Sequence, residues 1–242
     1  MHRFFIPTPL FQTPEIILPA EVSQQISRVL RLKTGTDILL LDDQGFEYPA
    51  RLCEVQASQC TATIIEKRTA SGEPATRLTL IIGLTQREKF EMILQKCTEV
   101  GVSTFVPVIS SRTLIQKPRD VEDKYPRWKK IIQEAAEQSH RGHIPTLEPV
   151  IKIDDALKMM NQKDSLKIVL WEDENKTTLK NALQSCQKRD ITIIIGPEGG
   201  LSVEEVAAAQ RSGFMPATLG RRILRMETAA ILAAGLVLYE FE

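Results

Sequence analysis

The sequence predicts an α/β protein: a small barrel of short strands over residues 1–72, then a parallel sheet covered by helices over residues 73–242. Three observations carry this. From Leu78 onward, buried-strand runs alternate with amphipathic helical segments, as in parallel strands joined by crossover helices. The first seventy residues hold several short strand-like runs and one helix. Between them Ser71-Gly72-Glu73-Pro74 is polar and turn-forming, and reads as a linker.

In the first part, Val22, Ile26, Val29 and Leu30 recur at helical spacing after Pro19, and Gly35 closes that helix. Residues 36–41 form an apolar strand stopped by the turn Asp42-Asp43-Gln44-Gly45. Strands continue over Phe46–Val55 and residues 61–66. In the second part, residues 78–84 form a buried strand, and Arg87–Val100 a helix with Phe90, Ile93, Leu94 and Cys97 inward. Thr104–Ile109 is a strand, residues 125–141 a long helix and 153–160 a short one. Residues 166–171, 191–195 and 215–219 are strands. Each leads to a helix: residues 177–186, the segment after Ser202, and residues 226–239.

Composition narrows the function classes. A 43% hydrophobic and 26% charged chain has the apolar mass for a packed core. The longest apolar run, residues 229–238, is half of what a membrane span requires, and Met1–Pro7 lacks a secretion signal. Four cysteines (Cys53, Cys60, Cys97, Cys186) lack C-x-x-C spacing, which suits a reducing cytoplasm. His140 and His143 have no Cys or acidic neighbours at ligand spacing, so no metal is expected. Net charge is zero, yet basic residues cluster at Arg28/Arg31/Lys33, Arg87/Lys89, Lys129/Lys130 and Arg221/Arg222/Arg225. Local patches of this kind can meet RNA phosphates, although any one of them also reads as ordinary solvated surface.

The strongest motif joins the strand at residues 191–195 to Gly196-Pro197-Glu198-Gly199-Gly200 and then to a Ser202/Glu205 capping box opening a helix. Such a loop lies at the carboxyl end of a strand, where ligands of open α/β sheets bind. A tight connection is the plainer alternative. No Lys-Ser/Thr follows, which excludes a P-loop, and the lateness of the loop disfavours a dinucleotide site. Glu198 suits hydroxyls or a cationic ligand better than a pyrophosphate. A second strand end, Thr218-Leu219-Gly220-Arg221-Arg222-Ile223-Leu224-Arg225-Met226-Glu227, repeats the pattern, so two glycine loops could face one ligand. A third segment, Glu134-Ala135-Ala136-Glu137-Gln138-Ser139-His140-Arg141, places Glu134, Gln138 and Arg141 on one helical face, which reads as solvated.

Together with Arg28-Val29-Leu30-Arg31-Leu32 and Gln95-Lys96-Cys97-Thr98-Glu99-Val100-Gly101-Val102, these segments resemble the RsmE family of ribosomal RNA (uracil-N3) methyltransferases, in the SPOUT class. The resemblance spans the whole chain. One departure is that Gln24-Gln25-Ile26-Ser27 holds no histidine where the family usually has one. The resemblance implies a PUA-like barrel that helps hold RNA and a trefoil-knotted catalytic domain. It also implies a homodimer and a cytoplasmic enzyme using S-adenosylmethionine on 16S ribosomal RNA or the small subunit. The cofactor would lie against Leu170, Trp171, Gly196, Glu198, Gly199, Gly200, Leu219, Gly220, Ile223, Leu224 and Met226. Arg225 and Arg141 are the candidate cations, and Glu227 or Glu198 the candidate proton acceptor. Arg3, Arg28, Arg31, Lys33, Lys96 and Arg221 are candidate RNA contacts. Rival readings are a SPOUT enzyme with another RNA target and a non-catalytic RNA-binding module.

Overall fold

The computed structural model describes residues 1–161, 164–184 and 189–241. It divides into two compact units, residues 1–73 with 136–144, and residues 74–135 with 145–242.

In the first unit, β1 (Arg3–Phe5) leads through a 3-10 turn (Thr8–Gln12) to β2 (Glu15–Ile17), both absent from the sequence expectation. The expected helix is α1 (Ala20–Gln24), continued by one π turn over Gln25–Val29. It stops at Arg31, whose φ of 50° breaks the helical path, and not at Gly35. The wider π turn throws Val29 out of register, and it is 73% exposed. β3 (Asp37–Leu41), β4 (Phe46–Val55), β5 (Cys60–Ile64) and β6 (Arg68–Thr69) complete a mixed sheet ordered β1-β3-β4-β5-β2, with β6 on β4. Alternate residues of these strands (Phe4, Ile38, Leu40, Tyr48, Ala50, Leu52, Cys60, Ala62) join Ile26 in one apolar core.

Glu47 sits in this unit with its side chain 7% exposed, bonded to Arg3 at 2.8 Å and to Arg68 at 2.6 Å. Removing its charge would strand Arg3, whose side chain is only 9% exposed. Glu47→Gln should therefore cost roughly 3 kcal/mol in urea unfolding. A loss below about 1 kcal/mol would mean that solvent compensates the pair.

The stretch from Ala136 to Ile144 belongs to this unit. Glu73 Oε1 accepts from the backbone N–H groups of Gly142 (3.0 Å) and His143 (3.1 Å), and Arg141 bonds both Glu73 oxygens, at 3.1 and 2.9 Å. Gly72, expected in a free linker, is packed instead: a Cβ there would lie 2.0 Å from the His140 carbonyl oxygen.

The second unit is a sheet of parallel strands. β7 (Arg77–Gly83), β8 (Thr104–Ile109), β9 (Thr146–Leu147), β10 (Ile151–Lys152), β11 (Leu166–Leu170), β12 (Asp190–Ile195) and β13 (Met215–Ala217) run in the order β10-β8-β7-β12-β11-β13, with β9 also on β8. Its helices are α2 (Arg87–Val100), most of α3 (Tyr125–Gln138), α4 (Ile153–Asn161), α5 (Leu179–Gln184), α6 (Val203–Arg211) and α7 (Met226–Phe241). Residues pointing to one face of the central strands (Ile81, Val106, Val169, Ile194) bury against Leu157 and Met160 of α4 and Val206 and Ala209 of α6. α2 and α7 pack on each other, and α7 against β7 and β12. Burial on both faces explains why every residue from Ile191 to Ile195 is β-branched. α3 ends three residues earlier than expected, because His140 adopts φ 65°. Cys186, at the expected end of α5, lies outside the described residues.

On this unit Glu91 receives Arg127 (2.6 Å) and Arg87 (2.9 Å). The Arg127 hydrogen bond, with that of Arg87, outweighs burial and holds its carboxyl down to about 2, against an ordinary 4.5. A carboxyl depressed on folding adds stability above its ordinary range and loses it as pH falls towards the folded value. Glu91→Gln should flatten the fall in melting temperature between about pH 5 and about pH 2. An unchanged acid limb would remove these ion pairs from the stability of the protein.

Candidate functional site

β11, β12 and β13 are neighbours and parallel, so their carboxyl ends open on the same side of the sheet. There they enclose a cleft of about 590 Å³, a size usual for cofactor sites. Leu170, Trp171 and Glu172 leave β11 along one wall. Ile195, Gly196, Pro197, Glu198, Gly200 and Leu201 form the second. The third wall starts from Ala217 and Thr218, continues over Leu219 to Arg225, and ends on Met226, Glu227 and Ala229 of α7.

Backbone geometry dominates these walls. Gly200 (φ 70°) closes a turn by donating its N–H to the Pro197 carbonyl at 2.9 Å. A side chain there would also meet Glu172 Oε1 at 2.9 Å. Gly220 stands at φ 117°, with open space where a side chain would be, and the Thr218 hydroxyl braces its N–H and carbonyl. The β11 and β13 exits are tied by Trp171 N–H donating to the Ala217 carbonyl (3.1 Å). Segment 177–179 bonds back onto Thr218.

Two carboxylates face the cleft differently. Glu198 accepts from the Thr85 hydroxyl and from Lys89 Nζ at 3.1 Å. Burial pushes its carboxyl up, but the Thr85 hydrogen bond, its own backbone N–H and Lys89 overcome this and hold it below the usual range. A carboxylate of lowered basicity, held through Oε1 by Thr85 and Lys89, anchors the loop and is a poor proton acceptor. Glu227, in the first turn of α7, has its Oε2 buried with no hydrogen-bond partner among the described residues. A buried, unpaired acceptor in a ligand-sized cleft calls for a donor from a ligand.

Arg221, Arg222 and Arg225 are exposed along the third wall, and none forms an ion pair among the described residues. Arg225 also caps α7 through its carbonyl, which accepts from Ala229 N–H at 2.8 Å.

Of the residues expected to hold a cofactor, Leu170, Trp171, Gly196, Glu198, Gly200, Leu219, Gly220, Ile223, Leu224 and Met226 line the cleft, as do Arg225, Glu227 and Arg221. Gly199 does not. Its Cα faces Arg112, whose Nη1 donates to the Gly199 carbonyl at 2.8 Å. Arg141, expected on a solvated helical face, is 2% exposed and held by Glu73 in the first unit. Arg3 is likewise engaged by Glu47, and Lys96 bonds Glu99 at 2.8 Å. Arg28, Arg31 and Lys33 are exposed and outside any ion pair among the described residues. Sequence reasoning missed Thr85 as a partner of Glu198, and with it Gly83 and Glu172. Lys89 was visible only as half of a basic pair.

A family model described as an RNA methyltransferase domain matches residues 72–238. The chain is similar to the ribosomal RNA small subunit methyltransferase E of Bacillus subtilis, at 30% identity over all of this chain and 98% of that one. It is similar to the namesake from Synechocystis at 33% identity over 93% of this chain and 75% of the relative. Among solved structures, ribosomal RNA small subunit methyltransferase E from Neisseria gonorrhoeae, bound to S-adenosyl methionine, superposes with a TM-score of 0.89 at 30% identity. That match covers 98% of this chain and 96% of the other.

Proposed function

Because the chain belongs to the ribosomal RNA small subunit methyltransferase E family, we propose that it methylates N3 of a uridine in 16S ribosomal RNA, with S-adenosylmethionine as donor. The observation that carries the reading is the cleft at the ends of β11, β12 and β13, walled by glycine-rich backbone and holding the unpaired Glu227 Oε2. The residues present suit this cofactor. Leu170, Ile195, Leu219 and Leu224 offer apolar surface for a base, and Glu227 offers an acceptor for a hydroxyl or amine. When bound, the cofactor supplies an electrophilic methyl group on a sulfonium sulfur.

The protein must do the rest. It aligns the uridine with the donor, which lowers the entropic part of the barrier. It must also deal with the N3 proton, because N3 is a poor nucleophile until that proton leaves. Arg225, at the cleft rim, is the cation we assign to the charge that then develops on the uridine carbonyl oxygens. Glu227 is the favoured proton acceptor, since Glu198 is committed to Thr85 and Lys89. Arg141 takes a structural role through Glu73. Arg28, Arg31, Lys33 and Arg221 are the RNA phosphate contacts of the proposal, giving an affinity that falls with salt.

The finer architecture belongs to the same proposal: a PUA-like barrel in the first unit, a trefoil knot in the second, and a homodimer. The β11–β13 tie and the return of segment 177–179 onto Thr218 support a chain threaded at this point. Leu232, Leu236 and Tyr239 lie at i, i+4 and i+7 of α7 and are 40%, 43% and 85% exposed, which supports a partner copy on that face. No helix among the described residues is long and apolar enough to cross a membrane, and no metal-binding group of side chains occurs among them. We place the enzyme in the cytoplasm, with its ribosomal substrate.

The test is nucleoside mass spectrometry of small-subunit RNA from a strain lacking the gene, with and without its restoration. N3-methyluridine should vanish and return. Its persistence would sink the proposal, and loss of a ribose-methylated nucleoside instead would favour the rival target.

A further inference from the structure

We propose that the first unit carries a second ligand site, a stacking cleft for one unpaired RNA nucleobase, in which Phe46 beneath Lys67 is the stacking ring and Phe11 and Tyr48 form the wall behind it. The chemical class of the ligand rests on the RNA methyltransferase reading, and its location on this cleft alone.

The cleft has a volume of about 530 Å³ and opens between the 3-10 turn Thr8–Gln12, the turn at residues 42–44 and β4. Phe46 and Tyr48 alternate along β4 and so share its inner face. Tyr48, 6% exposed, belongs to the core and backs the cleft, while Phe46 at the sheet end is half-buried. Phe11 stacks on Tyr48, with ring centroids 4.1 Å apart and 28° between the planes. The wall is held rigid. Tyr48 donates its hydroxyl to Asp42 Oδ2 at 3.0 Å, and Asp42 Oδ1 accepts from the N–H groups of Gln44 (2.8 Å) and Phe46 (3.1 Å). Asp42 is 3% exposed and fully occupied by these bonds. A preformed aromatic wall loses little conformational freedom when a flat ligand settles on it.

Lys67 decides the occupant. Its exposed ammonium lies 3.8 Å from the Phe46 centroid and 5.7 Å from that of Tyr48, with no carboxylate in ion-pair range among the described residues. A cationic ligand would be repelled by it, and an apolar side chain would bury it without a partner. A nucleotide brings a planar base for the half-buried Phe46 ring and a phosphate for the exposed Lys67 ammonium, which must swing off that ring to admit the base. Gln12, exposed at the mouth, carries an amide donor and acceptor for a base edge.

The test uses the full chain and a fluorescein-labelled single-stranded RNA of about 12 nucleotides, read by fluorescence anisotropy across a salt series. Phe46→Leu should weaken binding about tenfold, and Phe46→Trp should retain it. Lys67→Ala, at an exposed position, should lower the salt slope by about one. Calorimetric binding of S-adenosylmethionine should be the same in all three. Binding indifferent to Phe46→Leu, or an abasic strand bound as tightly as the intact one, overturns the proposal and leaves the cleft to another occupant. If the unaltered protein fails to bind S-adenosylmethionine, the methyltransferase reading falls, while the Phe46 result still decides this site.

Discussion

Arg225→Ala should lower the rate of methyl transfer to ribosomal RNA by about 10²–10³-fold while leaving the affinity for S-adenosylmethionine nearly unchanged. The expected split follows from what this residue does twice over. Its carbonyl oxygen accepts from Ala229 N–H and starts α7, and alanine keeps that bond. Its guanidinium is exposed on the cleft wall and has no ion-pair partner among the described residues. Truncation therefore orphans no buried group and leaves the glycine walls standing. What disappears is the positive charge available to a uridine losing its N3 proton, an interaction made mainly in the transition state, and such losses fall on kcat. Arg225→Lys should recover part of the rate, because the charge returns without the planar fork of donors. Unchanged turnover of Arg225→Ala on ribosomal RNA would remove the residue from the mechanism, and loss of cofactor binding would move it to the pocket wall.

Where local sequence carries the information, it was legible. β12 and its glycine loop, the capping box at Ser202 and Glu205, and the second loop at Gly220 lie where hydrophobic period and turn chemistry put them. Ten of the eleven residues expected around the cofactor line one cleft, since consecutive residues leaving a strand share a wall. The failures share a different cause. Thr85 and Glu198 are 113 residues apart, and nothing local marks either as the partner of the other. Helical spacing puts Arg141 on one face with Glu134 and Gln138, but the left-handed His140 interrupts the helix and turns Arg141 onto Glu73, 68 residues away. β1 and β2 were too short, at three residues each, to show a period. Gly199 shares the glycine-loop pattern of its neighbours in sequence, although successive positions of a turn do not all face one way.

That last distinction gives a pair of glycine substitutions with opposite outcomes. Gly83 ends β7 and lies outside the cleft lining, whereas Gly199 belongs to the glycine-rich loop that follows β12. Sequence position alone would make Gly199 the sensitive one. A Cβ on Gly83, however, would sit 2.5 Å from Pro197 N and 2.7 Å from Pro197 Cδ, with Gly196 C at 3.1 Å. Backbone and a proline ring cannot turn aside, so Gly83→Ala must push the 196–200 loop off its strand. We expect a loss of about 2 kcal/mol in stability. The displaced wall should also weaken S-adenosylmethionine binding by at least about tenfold in calorimetry. A Cβ on Gly199 would meet Arg112 Cβ at 3.1 Å, with Arg112 Cδ and the Arg112 carbonyl oxygen at 3.6 Å, so the exposed turn that carries Arg112 has to give by only a few tenths of an ångström. Gly199→Ala should leave cofactor binding close to that of the unaltered protein. The reverse order of sensitivity would mean that the cofactor presses on the outer side of the loop. It would place the donor against Arg112 instead of in the cleft between β11, β12 and β13.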